Sequence, residues 1–440
     1  MNTIEKKKVN RIANKWGQNF LVLFYCTGAV NIVLGGNVLI GLLMASFLLF
    51  LALYDEFEIA APLMLIANDA LGTVIAGRIS FPLMYCMLMG LRFVRKERKE
   101  ISLKGLIRVS ICVLLIAHLY IFQVQSISGI FSTVVYMMIV CNIVENTERD
   151  KETLRSMLLS MGVSCFILAG QLLFFGGVAY VELETQTIVS SHLNQMRYGM
   201  VGTGVGDPNY SGLKLMLGCL CIYYSRINIF LRSGMLVIML LAMVKTVSIT
   251  TILVLIMIIC IGTLLHKGLG RKIKCSIIVL LILGIIVYTL VSIPIEYLPS
   301  GIQTLLLRVY EKISQLSAGS IRELTTGRSY RALANLEYAF NRGVIKWYLG
   351  GEAVPPNGLL LSHNTYVDLL VRFGLLGFLC ITTRILYCAL RQYRNCVKND
   401  YLKEDVCILQ IKIVYIVFSF SLSIYIYQEA AWWTLFLLFI

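Results

Sequence analysis

Apolar residues run along this chain in long unbroken stretches, divided by short clusters of charge, and they do not alternate with polar positions. A stretch of roughly 20 apolar residues is the length of one membrane-spanning helix. The short alternating segments of a transmembrane β-barrel are absent from the pattern. Candidate spans lie near 20–36, 37–54, 59–77, 80–94, 105–122, 127–144, 157–180, 211–225, 228–244, 247–266, 275–293, 363–390, 407–426 and 429–440. The third is weakened by Asp69 and the last is short. The pattern predicts an all-α polytopic integral membrane protein, a single transmembrane domain over 1–440 with about 12–14 transmembrane helices. Two polar stretches interrupt it, one near 181–210 and a far longer one near 294–362.

Composition agrees with the pattern. Hydrophobic residues make up 58% of the 440 and charged residues 14%, against about 25% charged in an ordinary soluble chain. The net charge of +15 would suggest nucleic acid in a soluble protein. In a membrane protein it reflects basic residues gathered in cytoplasmic loops, so no nucleic-acid partner is expected. The 13 cysteines fall mostly in apolar runs and form no C-x-x-C pattern, which reads as small buried hydrophobes.

Charge also orients the spans. With the basic N-terminus (Lys6, Lys7, Lys8, Arg11) placed in the cytoplasm, every second loop is inside. Those loops carry Arg92, Arg95 and Lys96, then Arg149, Lys151 and Arg155, then Arg226, then Lys267, Arg271 and Lys272, then Arg391, Arg394 and Lys398. The alternate loops are nearly free of basic residues apart from 181–210 and 294–362, and long loops are translocated regardless of charge. Both polar stretches are therefore expected on the extracytoplasmic side, and a loop as long as the second is usually functional.

The long loop has internal periodicity. Ile302, Leu305, Leu306, Val309, Ile313 and Leu316 recur at helical spacing, which predicts an amphipathic helix on the membrane surface. A second helix is expected to start after Thr325 or Thr326, run to about Phe340, and carry Arg328, Arg331 and Asn335 on one face. Gly343, Gly350, Gly351, Pro355 and Pro356 then break regular structure, and His363 and Asn364 stand where the chain re-enters the membrane.

The outer loops hold Arg197, Arg308, Arg322, Arg328, Arg331 and Arg342. Guanidinium groups bind phosphate in a fixed fork geometry, so such a cluster suits a lipid diphosphate; headgroup contacts and surface ion pairs explain it equally well. His363 has the chemistry to accept a proton from a hydroxyl, or it is a helix-entrance residue satisfied by backbone carbonyls. In GVGDPNYSG, 204–212, Asp207 and Pro208 set a turn, and Asn209 and Ser211 are placed to cap the span that follows. Asp69 and Arg372 are charges within spans and so are functional candidates. On a straight helix Arg372 would lie about 13 Å deeper than His363. No phosphate loop, dinucleotide fingerprint, zinc spacing or nucleophile elbow occurs, and nothing argues for ATP hydrolysis.

Two segments, taken together, resemble the O-antigen polymerase and ligase superfamily, the Wzy-type proteins of bacterial surface-polysaccharide assembly. One is Arg197 followed by GTGVGDPNYSG, with Asp207, Asn209 and Tyr210 in its turn. The other is TTGRSYRALANLEYAFNRGVIKWYLGG followed by SHNTYVDLLVRFGLLG, covering a G-R helix, a glycine-rich break, H-N at a span entrance and G-x-x-G within it. The pattern covers roughly 195–390. Two features depart from it: Trp347, Tyr348 and Leu349 precede Gly350 without a proline, and Arg372 stands where the family often has an acidic or other polar residue.

The resemblance implies a metal-independent glycosyltransferase without a cofactor, in the bacterial plasma membrane, using an undecaprenyl-diphosphate-linked oligosaccharide as donor. His363 and Arg328 would be catalytic. Arg197, Asp207, Asn209, Tyr210, Arg331, Asn364 and Arg372 would bind substrate. It implies membrane lipid, a chain-length regulator and a flippase as partners. Polymerisation of repeat units ranks first, ligase-type transfer to a lipid, wall or protein acceptor second, and a transporter third, since no repeated halves with matching broken helices are visible.

Overall fold

The computed structural model of the protein describes residues 38–53, 151–174, 178–179, 198–199, 208–265, 292–298, 300–317, 328–350, 362–399 and 401–422, with single helical positions at 23, 27, 270, 273, 277, 281 and 284. The candidate spans near 59–77, 80–94, 105–122, 127–144 and 429–440, together with Asp69, lie outside the described residues. Among the described residues the structure is helical apart from one two-residue antiparallel ladder.

The helices are α1 (Val38–Leu53), α2 (Lys151–Phe174), α3 (Pro208–Tyr224), α4 (Ile229–Thr246), α5 (Ile249–Leu264), α6 (Ser300–Ser317), α7 (Arg328–Asn341), α8 (Val344–Leu349), α9 (Thr365–Lys398) and α10 (Lys403–Phe418). The ladder joins β1 (Val178–Ala179) to β2 (Tyr198–Gly199) and so closes the neck of the shorter polar stretch. The apolar runs near 37–54, 211–225, 228–244 and 247–266 become α1, α3, α4 and α5 with ends close to the expected limits, while α2, α9 and α10 are offset at one end or both by up to eight residues. Helix α4 begins where the Asn228 carboxamide accepts from Phe230 N at 2.9 Å. It ends at Val247 in the left-handed conformation, and Ser248 caps α5 by accepting from Thr251 N at 3.3 Å. Two of these helices, α4 and α9, are long and apolar enough to cross a membrane.

The core is a bundle in which α3 packs against α2, α4, α5 and α10. Small residues bring the axes close. A Cβ at Gly218 would stand 2.3 Å from Cys165 Cβ, and one at Gly162 would stand 2.6 Å from Ile222 Cδ1. This is the packing that glycine permits between apolar helices.

The helix ends segregate to two faces. At one, Glu404 at the start of α10 is paired with Arg155 at the start of α2, and with Arg226 just past α3 at 3.5 Å. Beside them Tyr224, Leu265, Cys396, Val406 and Leu409 pack together, which gathers the ends of α3, α5 and α9 there. At the other face are the first residues of α3, α5 and α9 and the last of α10. Lys245, in the last turn of α4, donates to the Leu172 carbonyl near the end of α2 at 2.7 Å.

Helix α9 is not straight. Gly374 interrupts it with φ 66° and ψ −176°. Gln392 of α9 donates to the Asp405 carbonyl of α10, while Thr365 N donates to the Ser419 carbonyl at the far end. Between those levels α9 has 27 residues, about 40 Å of helix, and α10 has 14, about 21 Å. The surplus is taken up at Gly374. The segment Thr365–Phe373 therefore turns across the end of the bundle instead of continuing the axis of Leu375–Lys398, so a straight-helix rise does not give the depth of Arg372 relative to His363. Helix α7 packs Ala339 on Val367 and Val371 of this crosswise segment.

Candidate functional site

The crosswise segment of α9 begins in a closely bonded turn. Asn364 is its N-cap, its Oδ1 accepting from Tyr366 N at 3.0 Å and Val367 N at 3.3 Å. The buried Asp368 carboxylate accepts from Ser362 N at 3.2 Å and lies 2.7 Å from Ser362 Oγ. Ser362 Oγ in turn accepts from Asn364 N at 3.0 Å. His363 is held between these bonds at φ 53°, a left-handed conformation uncommon for any residue with a Cβ.

A second turn, Ser419–Leu422 at the end of α10, abuts the first. Thr365 N donates to the carbonyls of Ser419 at 2.8 Å and Leu422 at 3.1 Å, and Asn364 Nδ2 donates to that of Phe420 at 3.4 Å. From the other side Arg328, the first residue of α7, donates through Nη1 to the Ser421 carbonyl at 3.0 Å. Arg328 and the His363–Asn364 turn, 35 residues apart in sequence, thus hold neighbouring carbonyls of one turn. The bond to Ser421 uses one of the five N–H donors of a guanidinium.

The other candidates are placed as follows. Arg331 lies one helical turn along α7 from Arg328 and is half-buried. Asn335 is buried, and its carboxamide donates back to the Arg331 carbonyl at 2.8 Å. Arg372 is half-buried near the break in α9. Asn209 and Tyr210 lie on the same face of the bundle, at the start of α3. Asn209 is buried, and its Oδ1 accepts from Ser248 Oγ at 2.9 Å, which ties the first turns of α3 and α5 together. Asn209 and Ser211 do not cap α3, because the helix already begins at Pro208, the residue type favoured at a first helical position. Arg197, Asp207 and Arg322 lie outside the described residues.

Arg342 has a structural use that the sequence did not indicate. Breaking α9 at Gly374 frees carbonyls at the end of the crosswise segment. Arg342 donates to two of them, through Nη2 to Leu370 O at 2.9 Å and through Nη1 to Val371 O. Burial of the guanidinium lowers its pKa from the usual arginine value. Beside it, Gly350 at φ 77° presses its backbone onto the break. A Cβ there would lie 2.1 Å from the Arg372 carbonyl oxygen, and one at Gly374 would lie 2.4 Å from Gly350 N. The glycine-rich break and the glycine within the span, separate features in the sequence, are one backbone contact. Ser362 and Asp368 were also missed. Their signal was a serine two residues before an asparagine cap, with an acid in the first turn after it.

The chain matches no protein-family model, no curated protein and no solved structure.

Proposed function

We propose that this chain is a multi-pass plasma-membrane glycosyltransferase that joins undecaprenyl-diphosphate-linked oligosaccharide units into a polysaccharide at the outer face. The observation that carries the reading is the meeting of Arg328 and the His363–Asn364 turn on the Ser419–Leu422 turn. The membrane part is supported by α4 and α9, which bury only 28% and 22% of their apolar windows. The core helix of a water-soluble protein would bury most of such a surface.

In this reading a hydroxyl oxygen of the acceptor glycan attacks the anomeric carbon of the donor. The carbon–oxygen bond to the diphosphate breaks, and the lipid diphosphate leaves with the electron pair. The hydroxyl proton passes to the His363 imidazole. Arg328, supported by Arg331 and Arg197, offsets the charge that develops on the leaving oxygen. Asn364 fixes the turn that carries His363. Asp207, Asn209, Tyr210 and Arg372 would order the surroundings of the bound glycans. The donor's own diphosphate bond drives the transfer, so no nucleotide is consumed.

The test is product length in cells carrying single substitutions. Arg328→Ala is expected to reduce chain growth at least about 100-fold with the protein still in the membrane. At His363 alanine would strain the left-handed backbone, so His363→Asn is the cleaner change, because asparagine tolerates that conformation but supplies no base. Loss of polymer in both variants is the expected result. Full-length polymer in either one removes that residue from the chemistry.

A further inference from the structure

We infer that α8 is an interfacial anchor, a short helix whose apolar side chains enter the outer leaflet of the bilayer beside the break in α9. The inference rests on reading α9 as a membrane-spanning helix. Below Gly374, the stretch Leu375–Lys398 is 24 residues, about 36 Å of helix, against a hydrocarbon core of about 30 Å. If Lys398 lies at the opposite surface, Gly374 stands at the level of the outer headgroups. Helix α8 is fixed at that level by the backbone contact between Gly350 and Gly374.

The composition and exposure of α8 suit that depth. Its six residues include none that is buried, and Val344 and Ile345 are each 74% exposed. Trp347 stacks on Phe340 with ring centroids 4.4 Å apart, next to an exposed Tyr348. Tryptophan and tyrosine beside aliphatic residues are the usual composition of a membrane interface. The exposed apolar surface continues down α9 at Leu376 and Leu379, so lipid covering α9 below the break would extend to α8 without interruption.

The experiment places a benzophenone amino acid singly at Val344, Ile345, Leu386 or Glu337 and irradiates native membranes containing an alkyne-tagged phospholipid. Leu386 is an exposed position on the span, and Glu337 is an exposed charge on α7. Lipid adducts at 344 and 345 comparable to those at 386, and at least about tenfold above those at 337, are expected. Lipid capture at 386 but not at 344 or 345 overturns the anchor and leaves the membrane reading intact. Capture of a polypeptide at 344 or 345 also overturns it. No lipid at 386 removes the membrane reading, and the anchor with it.

Discussion

At the candidate site His363, Gly350 and Gly374 all have positive φ, the histidine for one reason and the glycines for another. At φ 53° His363 is held by the bonded turn on either side of it. Holding a residue with a Cβ in such a conformation costs on the order of 1–3 kcal/mol, and strain of this kind concentrates at functional sites. Gly350 and Gly374 are needed because two backbones touch. Gly350→Ala or Gly374→Ala is expected to destabilise the protein by about 2 kcal/mol or more, since a side chain would have to displace main-chain atoms. Gly234→Ala in α4, where a Cβ meets nothing within 4 Å, is expected to be neutral or to stabilise by up to about 1 kcal/mol. Thermal unfolding in detergent would compare the three. Equal effects at all of them would refute the backbone contact. The sequence could show that Gly350 breaks a helix and that Gly374 lies in a span. It could not show that they touch, because that depends on how the 23 intervening residues return.

Helix α9 shows what hydropathy can and cannot read. Its apolar run predicted a span near 363–390, and the helix occupies Thr365–Lys398. The break is invisible to hydropathy, because Leu375 and Leu376 continue the run past Gly374 without a polar residue. The arginines of the outer loop show the same limit. Arg328 and Arg342 look alike in sequence, yet one lies at the His363 turn and the other caps carbonyls freed by the break. Arg342→Ala should therefore cost about 1–3 kcal/mol through stranded carbonyls. Arg342→Lys should recover part of that, because one ammonium cannot reproduce the fork. Unfolding of the two variants, with turnover normalised to folded protein, checks this. A variant of unchanged stability but lost activity would place Arg342 at the substrate instead. The long amphipathic pattern beginning at Ile302 did read correctly as a helix, since α6 spans Ser300–Ser317.

Among the described residues, the Glu404 ion pairs with Arg155 and Arg226 lie at one end of the bundle and the candidate site at the other. Burial alone would raise the pKa of Glu404. Its backbone hydrogen bond and the Arg155 and Arg226 guanidinium groups outweigh that effect and hold it below the ordinary carboxylate value. A carboxylate depressed in the folded state stabilises the fold above its unfolded pKa and loses that contribution as the pH falls through the lower folded value. Stability should thus be flat in this group from neutrality to about pH 5 and fall below about 4.5. Glu404→Gln should lower stability near neutrality and flatten the acid fall; an unchanged acid profile would show that the pair contributes nothing.

Among the described residues the helix ends fall at two faces, with Arg155 and Arg226 together at one and His363 and Arg328 at the other. Loop charge is a signal for which ends share a side of the membrane. It says nothing of how helices pack within the bundle, so the convergence of Arg328 with the His363 turn was not legible.

The central claim is a transfer driven by a lipid diphosphate at that second face. The measurement that tests it most directly uses purified protein in liposomes, supplied with an undecaprenyl-diphosphate oligosaccharide and no nucleotide, with glycan products resolved on a gel. The account predicts a ladder of longer lipid-linked chains that disappears with Arg328→Ala and His363→Asn. Transfer only when a second lipid, wall or protein acceptor is added would make the protein a ligase, and no transfer to any acceptor would contradict the account.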